Sequence, residues 1–193
     1  MAVQRLNNPV FRLGGFFVTC AKSREMEFYL EKLKKIRAFV FDVDGVFTDG
    51  KVWITPEGDL MRSMHTKDGL AVKKAVDEGF PVAIISGGNN RNIVGRFEYL
   101  GVKDIYLNAL KKTEYFCDFL QHYQLQRDEV LYMGDDIPDI EPMQLAGLSA
   151  CPADAVREVK ETADYISPYP GGQACVRDII EKVLKVHGKW FVV

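Results

Sequence analysis

The sequence predicts an α/β fold: a Rossmann-like, doubly wound parallel sheet with helices on both faces and one projecting β-hairpin. Three observations lead there. Strand-like and helix-like segments alternate from Glu27 onward, roughly five times over, as in parallel sheets built from crossover units. Ala38–Val43 (AFVFDV), Pro81–Ile85 (PVAII) and Glu129–Met133 (EVLYM) are largely apolar runs, the pattern of strands buried on both faces. Each run leads into small or acidic residues: Asp42-Val43-Asp44-Gly45, Ser86-Gly87-Gly88 and Gly134-Asp135-Asp136.

In chain order, Glu27–Lys35 reads as a short amphipathic helix with Phe28, Leu30 and Leu33 available for burial. The first core strand follows. Lys51–Ile54 and Leu60–His65 flank Pro56-Glu57-Gly58-Asp59, a turn signal, and form the hairpin. Asp68 is expected to cap a helix that runs to about Glu78, where Gly79 closes it. After the second core strand come a helix over Asn89–Leu100, a strand over Ile105–Leu107 and a helix over Lys111–Tyr123. The third core strand leads to further units and a last helix, Ala174–Val186. In such sheets ligands bind at the carboxyl ends of the strands, so the three polar strand ends converge on one site.

A chain of 193 residues suits one domain with a full core. Its net charge of -2 gives no global attraction to nucleic acid or to an anionic membrane, and neither is expected as a partner. Positive charge for a phosphate must therefore be local. Cys20, Cys117, Cys151 and Cys175 lack metal-ligand spacing and fit reduced thiols in a cytoplasmic protein. The domain is expected to span 27–193, behind a poorly ordered extension over 1–26. In that extension Val10–Cys20 is apolar but short, and Arg12 interrupts it, so it does not read as a membrane span. Translation from Met26 is the expected origin of the mature chain.

The strand ends carry the chemistry. Asp42 and Asp44 end one strand, and Asp135, Asp136 and Asp139 follow another. Either group alone also suits an ordinary turn. Five carboxylates at one sheet edge repel each other, and a hard cation with oxygen ligands, Mg2+, resolves the repulsion. Ser86 and the amide of Gly87 precede a helix and suit phosphate oxygens, although Ser-Gly-Gly is also a common loop. Lys111-Lys112 opens a helix, the unfavourable end for a cation, which marks the pair for a local role.

Asp42-Val43-Asp44-Gly45-Val46-Phe47-Thr48-Asp49-Gly50, Ser86, Lys112 and Gly134-Asp135-Asp136-Ile137-Pro138-Asp139 resemble the four motifs of the haloacid dehalogenase superfamily of phosphatases. The opening motif is similar to that of the 3-deoxy-D-manno-octulosonate 8-phosphate phosphatases of lipopolysaccharide precursor synthesis. The resemblance implies a hydrolase in which Asp42 attacks phosphorus and Asp44 acts as acid and then as base. It implies Mg2+ held by Asp42, the carbonyl of Asp44 and Asp135. Ser86, Gly87 and Lys112 hold the phosphoryl group, with Thr48 on the substrate side and Asp136 or Asp139 supporting the metal or Lys112. Lys67 is placed near a sugar carboxylate or a neighbouring subunit, with a solvated lysine as the equal alternative.

The gaps from Asp49 to Val82 and from Ser86 to Lys112 hold no cap domain. Other subunits could supply the walls of a small-substrate site, with packing of the hairpin onto its own domain as the alternative. Trp53, Ile54, Leu60 and Met64 give the hairpin an apolar set unlike a solvent face, and the resemblance implies a homotetramer built through it. Two departures stand out. Gly171-Gly172-Gln173-Ala174-Cys175-Val176-Arg177 has Ala174 where the family pattern has glycine, and Ser86-Gly87-Gly88 lacks an arginine common there. His65, His122 and His187 receive no catalytic role. The alternatives are a phosphatase for KDN 9-phosphate or another sugar phosphate, and a non-enzymatic phospho-acceptor switch, which would not need Asp44.

Overall fold

Residues 20–89 and 91–192 are described by a computed structural model. The first helix, α1 (Cys20–Lys35), starts earlier than expected, inside the segment assigned to the extension. The rest of the expected extension, with its apolar stretch before Cys20, lies outside the described residues. Strand β1 (Ala38–Phe41) is buried at every position. The hairpin follows as β2 (Trp53–Ile54) and β3 (Leu60–Met61), an antiparallel pair shorter than the sequence suggested. Its turn closes by hydrogen bonds from Thr55 N to Asp59 O at 2.9 Å and from Gly58 N to Thr55 O at 2.9 Å.

Helix α2 (Thr66–Asp77) is capped by His65, not by Asp68: the His65 Nδ1 accepts from Lys67 N at 3.1 Å. Asp68 lies within the helix, fully buried, and accepts from the Arg177 backbone amide at 2.7 Å. A carboxylate there joins α2 to the start of the last helix. Next come β4 (Val82–Ile85), a 3-10 turn over Arg91–Ile93 with α3 (Val94–Tyr99), and β5 (Asp104–Tyr106). Helix α4 (Lys112–Tyr123), β6 (Val130–Met133), α5 (Ile140–Leu145) and β7 (Leu148–Cys151) follow. The chain finishes with α6 (Arg157–Thr162), β8 (Tyr165–Ile166) and α7 (Cys175–Val186).

Six strands form one all-parallel sheet in the order β5-β4-β1-β6-β7-β8. Alternation along β1 divides the core. Phe39 and Phe41 pack with residues of α1, α2 and α7 on one face, and Ala38 and Val40 pack with residues of α4, α5 and α6 on the other. Successive strands leave β1 toward β5, and the chain then returns to the other side of β1 with β6. That reversal opens a crevice at the carboxyl end of β1, where ligands bind in doubly wound sheets. The connections on either side of β4 hold only the hairpin with α2, and α3 with β5, so no cap domain is inserted among the described residues. No helix among them is long and apolar enough to cross a membrane.

Candidate active site

Asp42 is the first residue past β1, and its amide donates to Met133 O at 3.0 Å, so the strand pairing continues up to the carboxyl edge of the sheet. The chain then folds tightly: the amides of Val46, Phe47 and Thr48 all donate to Val43 O, at 3.2, 2.9 and 3.2 Å. Gly45 is left-handed at φ +86°, and a Cβ there would stand 1.9 Å from an oxygen of Asp135. Glycine is what lets the two acidic strand ends close on each other.

Asp42, Asp135 and Asp139 each place a carboxylate oxygen within 4.8 Å of the others. Asp139 is fully buried and its valences are filled. Its Oδ1 accepts from Lys112 Nζ at 2.7 Å and from the Tyr132 hydroxyl at 2.8 Å. Its Oδ2 accepts from the amides of Asp135 and Asp136, at 3.3 and 3.4 Å. Lys112 Nζ also lies 2.9 Å from Asp42 Oδ2, bridging Asp139 to Asp42. Burial works against the ammonium, but the charges of Asp42 and Asp139 outweigh it and raise its pKa.

Burial, and then the charge of Asp139, push Asp42 up to about 7 despite Lys112. Burial, with Asp42 and Asp139 next to it, pushes Asp135 to about 8. Such a cluster is short of positive charge. Asp135 Oδ1 is buried with no hydrogen-bond partner, an orphaned acceptor on a member of the cluster. The free carboxylate valences therefore belong to Asp42 and Asp135, and a small hard cation fits that donor set.

A 360 Å3 cavity over the strand ends is lined by Asp42, Asp44, Ser86, Gly87, Lys112 and Asp135 among others, with Asp136 at its edge. The Ser86 loop is anchored by Ser86 N donating to Tyr106 O at 2.9 Å, and Ala109 N donates to Ser86 O at 3.0 Å. The second bond ties the loop to the segment that leads into Lys112. Lys112 is buried as the first residue of α4, whereas Lys111 is exposed and pairs with Glu114. Only one lysine of the pair turns inward.

Of the other residues singled out from sequence, Asp136 lines this cavity, Thr48 touches Asp44, and Lys67 faces a different cavity. Thr48 is buried; its Oγ1 accepts from the amides of Gly45 and Gly50, at 3.3 and 3.2 Å, and its hydroxyl donates to Asp44 Oδ1 at 3.4 Å, so it braces the loop against Asp44. Asp136 caps its own turn, accepting from Ile137 N at 2.8 Å, and Asp139 is the residue that holds Lys112. Lys67 is exposed and lines a separate 540 Å3 cavity with His65, Arg177 and Lys185. Sequence reasoning missed two residues. Tyr132 orients Asp139, and its signal was a lone hydroxyl in an apolar core strand. Arg62, just after β3, forks onto Asp44 with Nε 2.5 Å from Oδ1 and Nη2 3.0 Å from Oδ2.

Comparisons with known proteins follow the same lines. The chain matches the haloacid dehalogenase-like hydrolase family over residues 101–174. It is 31% identical over 159 residues to the 3-deoxy-D-manno-octulosonate 8-phosphate phosphatase KdsC of Haemophilus influenzae, covering 82% of this chain and 88% of that one. A Yersinia pestis 3-deoxy-D-manno-octulosonate 8-phosphate phosphatase superposes with a TM-score of 0.83 at 28% identity, over 84% of this chain and 88% of its own. The Moraxella catarrhalis phosphatase, solved with magnesium, phosphate and KDO, superposes with a TM-score of 0.80 at 28% identity, over 83% and 91%.

Proposed function

The chain belongs to the 3-deoxy-D-manno-octulosonate 8-phosphate phosphatase family of haloacid dehalogenase-like hydrolases, and from that premise we infer that it removes phosphate from this phosphorylated sugar acid with Mg2+ as cofactor. One observation carries the reading at the level of chemistry: Asp42, Lys112, Asp139 and Asp135 meet at the mouth of β1, beside Ser86.

In the reaction, an oxygen of Asp42 attacks phosphorus as the bond from phosphorus to the sugar oxygen breaks. Asp44 gives its proton to that leaving oxygen, so the sugar departs as a neutral alcohol. The aspartyl phosphate left on Asp42 is hydrolysed by water, whose proton Asp44 takes; inorganic phosphate leaves and both carboxylates return to their starting forms. Lys112, fixed by Asp139, and Ser86 with the Gly87 amide hold the phosphoryl oxygens throughout. When bound by Asp42, Asp135 and the main-chain carbonyl of Asp44, magnesium offsets the charge of the carboxylates and of the transferring group.

The protein works as a homotetramer assembled through the hairpin. Trp53 and Ile54 are 67% and 74% exposed on a two-stranded ribbon, a surface that favours a covering partner over water. The free thiols of Cys117, Cys151 and Cys175 support a cytoplasmic setting. The test is phosphate release across a panel of phosphorylated sugar acids and neutral phosphosugars, with Mg2+ and with chelator. Turnover should require Mg2+, favour 2-keto-3-deoxy acids and vanish in Asp42→Asn. Equal rates across the panel would refute the substrate, and full turnover by Asp42→Asn would refute the mechanism.

A further inference from the structure

Among the described residues Arg62 is the one cation in an ion pair with Asp44, and it comes from outside the four motifs. It follows β3 directly, so the hairpin delivers it. Its side chain is 9% exposed and its guanidinium meets Asp44 through two nitrogens on two oxygens. Such a fork fixes the plane of a carboxylate as well as its position, which a lysine ammonium does not do. Arg62 Nη1 is buried with no partner, so the side chain is held in place at the cost of an unsatisfied donor.

The surroundings make room for this pair. A Cβ built on Gly88 would stand 3.7 Å from Asp44 Oδ2 and 4.0 Å from Arg62 Nη2, ordinary contacts on a backbone that is not left-handed. Neither strain nor collision demands glycine at 88, but anything longer than Cβ would run toward the ion pair. The cavity over the strand ends is lined by Asp44 and Gly88, while Arg62 lines the neighbouring groove with Met64 and Arg96. The guanidinium thus holds Asp44 from outside the lining of that cavity, and the Thr48 hydroxyl adds a contact to Asp44 Oδ1 at 3.4 Å.

We propose that Arg62 is the positioning residue for the acid function of Asp44, aiming its carboxyl at the leaving oxygen through the bidentate contact. Resting on the role given to Asp44 above, the proposal makes a claim about leaving groups. A sugar alkoxide needs a proton as it departs, whereas p-nitrophenolate does not. The ratio kcat/KM reports the steps up to release of the alcohol, so it isolates the acid step from the later hydrolysis of the phosphoenzyme.

The experiment measures kcat/KM for a sugar phosphate and for p-nitrophenyl phosphate in wild type, Arg62→Gln, Arg62→Lys and Asp44→Asn, with Mg2+ present. Arg62→Gln should lose about 100-fold on the sugar phosphate, the scale of a small misplacement of a catalytic group, and under about 3-fold on the aryl ester. Arg62→Lys should fall between wild type and Arg62→Gln on the sugar phosphate. Equal losses on both esters, or none on either, would overturn the proposal. Asp44→Asn separates the two failures. If it also shows no dependence on the leaving group, the role of Asp44 falls; if it shows the dependence while Arg62→Gln does not, only the role of Arg62 falls. Circular dichroism and melting of each variant establish folding, and Arg62→Lys carries the test should Arg62→Gln not fold.

Discussion

Asp139, with no exposed surface, sets its Oδ1 2.7 Å from the Nζ of Lys112 and so fixes the ammonium that faces Asp42. The pair serves geometry more than stability, because two charges removed from water recover their desolvation cost only when both are present. Truncating one partner is the severe lesion. Asp139→Ala should destabilise the fold by about 3–5 kcal/mol, read from the urea midpoint, since Lys112 then keeps only Asp42 and the Tyr132 hydroxyl loses its acceptor. Joint replacement by Lys112→Met and Asp139→Leu should cost less stability than Asp139→Ala alone, while turnover stays abolished. A double variant no more stable than the single one would contradict this account.

The acidic cluster makes stability depend jointly on pH and metal. Asp42 and Asp135 sit at about 7 and about 8, against an ordinary carboxylate value of 3.8. Folded values above unfolded ones mean stability that is fully present below about pH 4 and lost as pH climbs through 7 and 8. The metal-free protein should therefore melt at falling temperature over that window. A divalent cation competes with those protons, so its stabilisation should grow as they leave. Melting with Mg2+ and with chelator, from about pH 5.5 to about pH 8.5, should show a widening gap. A gap that is constant or narrowing would contradict the metal assignment to Asp42 and Asp135.

The extent to which the sequence disclosed all this follows from how local each signal is. Ala38–Phe41 and Val130–Met133 were readable because strands buried on both faces are apolar throughout, and the acids after them follow in the next few residues. Which acid of Asp135-Asp136-Ile137-Pro138-Asp139 turns inward was not readable. A 3-10 turn decides it, pointing Asp139 at Lys112 and leaving Asp136 as a cap. Asp68 read as a helix cap because its partner, the Arg177 amide, is 109 residues away. Arg62 escaped notice for the same reason: in a short ribbon of exposed residues nothing local distinguishes a buried guanidinium from a solvated one.

The hairpin carries its own prediction. Charges placed at Trp53 and Ile54 fall on side chains already exposed in the single chain, so the fold should survive them. If the proposed tetramer forms through this ribbon, Trp53→Glu with Ile54→Glu should leave the circular dichroism spectrum intact and lower the mass by light scattering to a smaller species than wild type. Activity on the sugar phosphate should fall with it, because no cap domain covers the site among the described residues. An unchanged mass would remove the hairpin from the interface.

Ala174 tests whether a departure from the family pattern is tolerated under strain. It precedes α7 with φ 76° and ψ 21°, left-handed, where a Cβ crowds the backbone and glycine does not. The loop before it lies against the turn that carries Asp44: Gly172 N donates to Val46 O at 2.9 Å, and a Cβ on Gly171 would stand 1.9 Å from Gly45 O. Ala174→Gly relieves the strain without touching that turn, so it should stabilise by about 1 kcal/mol, some 2–4 °C in melting temperature, with kcat unchanged. Gly171→Ala must push the Gly45–Thr48 turn, and with it Asp44, so it should lower the melting temperature and kcat together. If Ala174→Gly lowers stability instead, the left-handed backbone at 174 is not a source of strain, and the chain has adapted to alanine there.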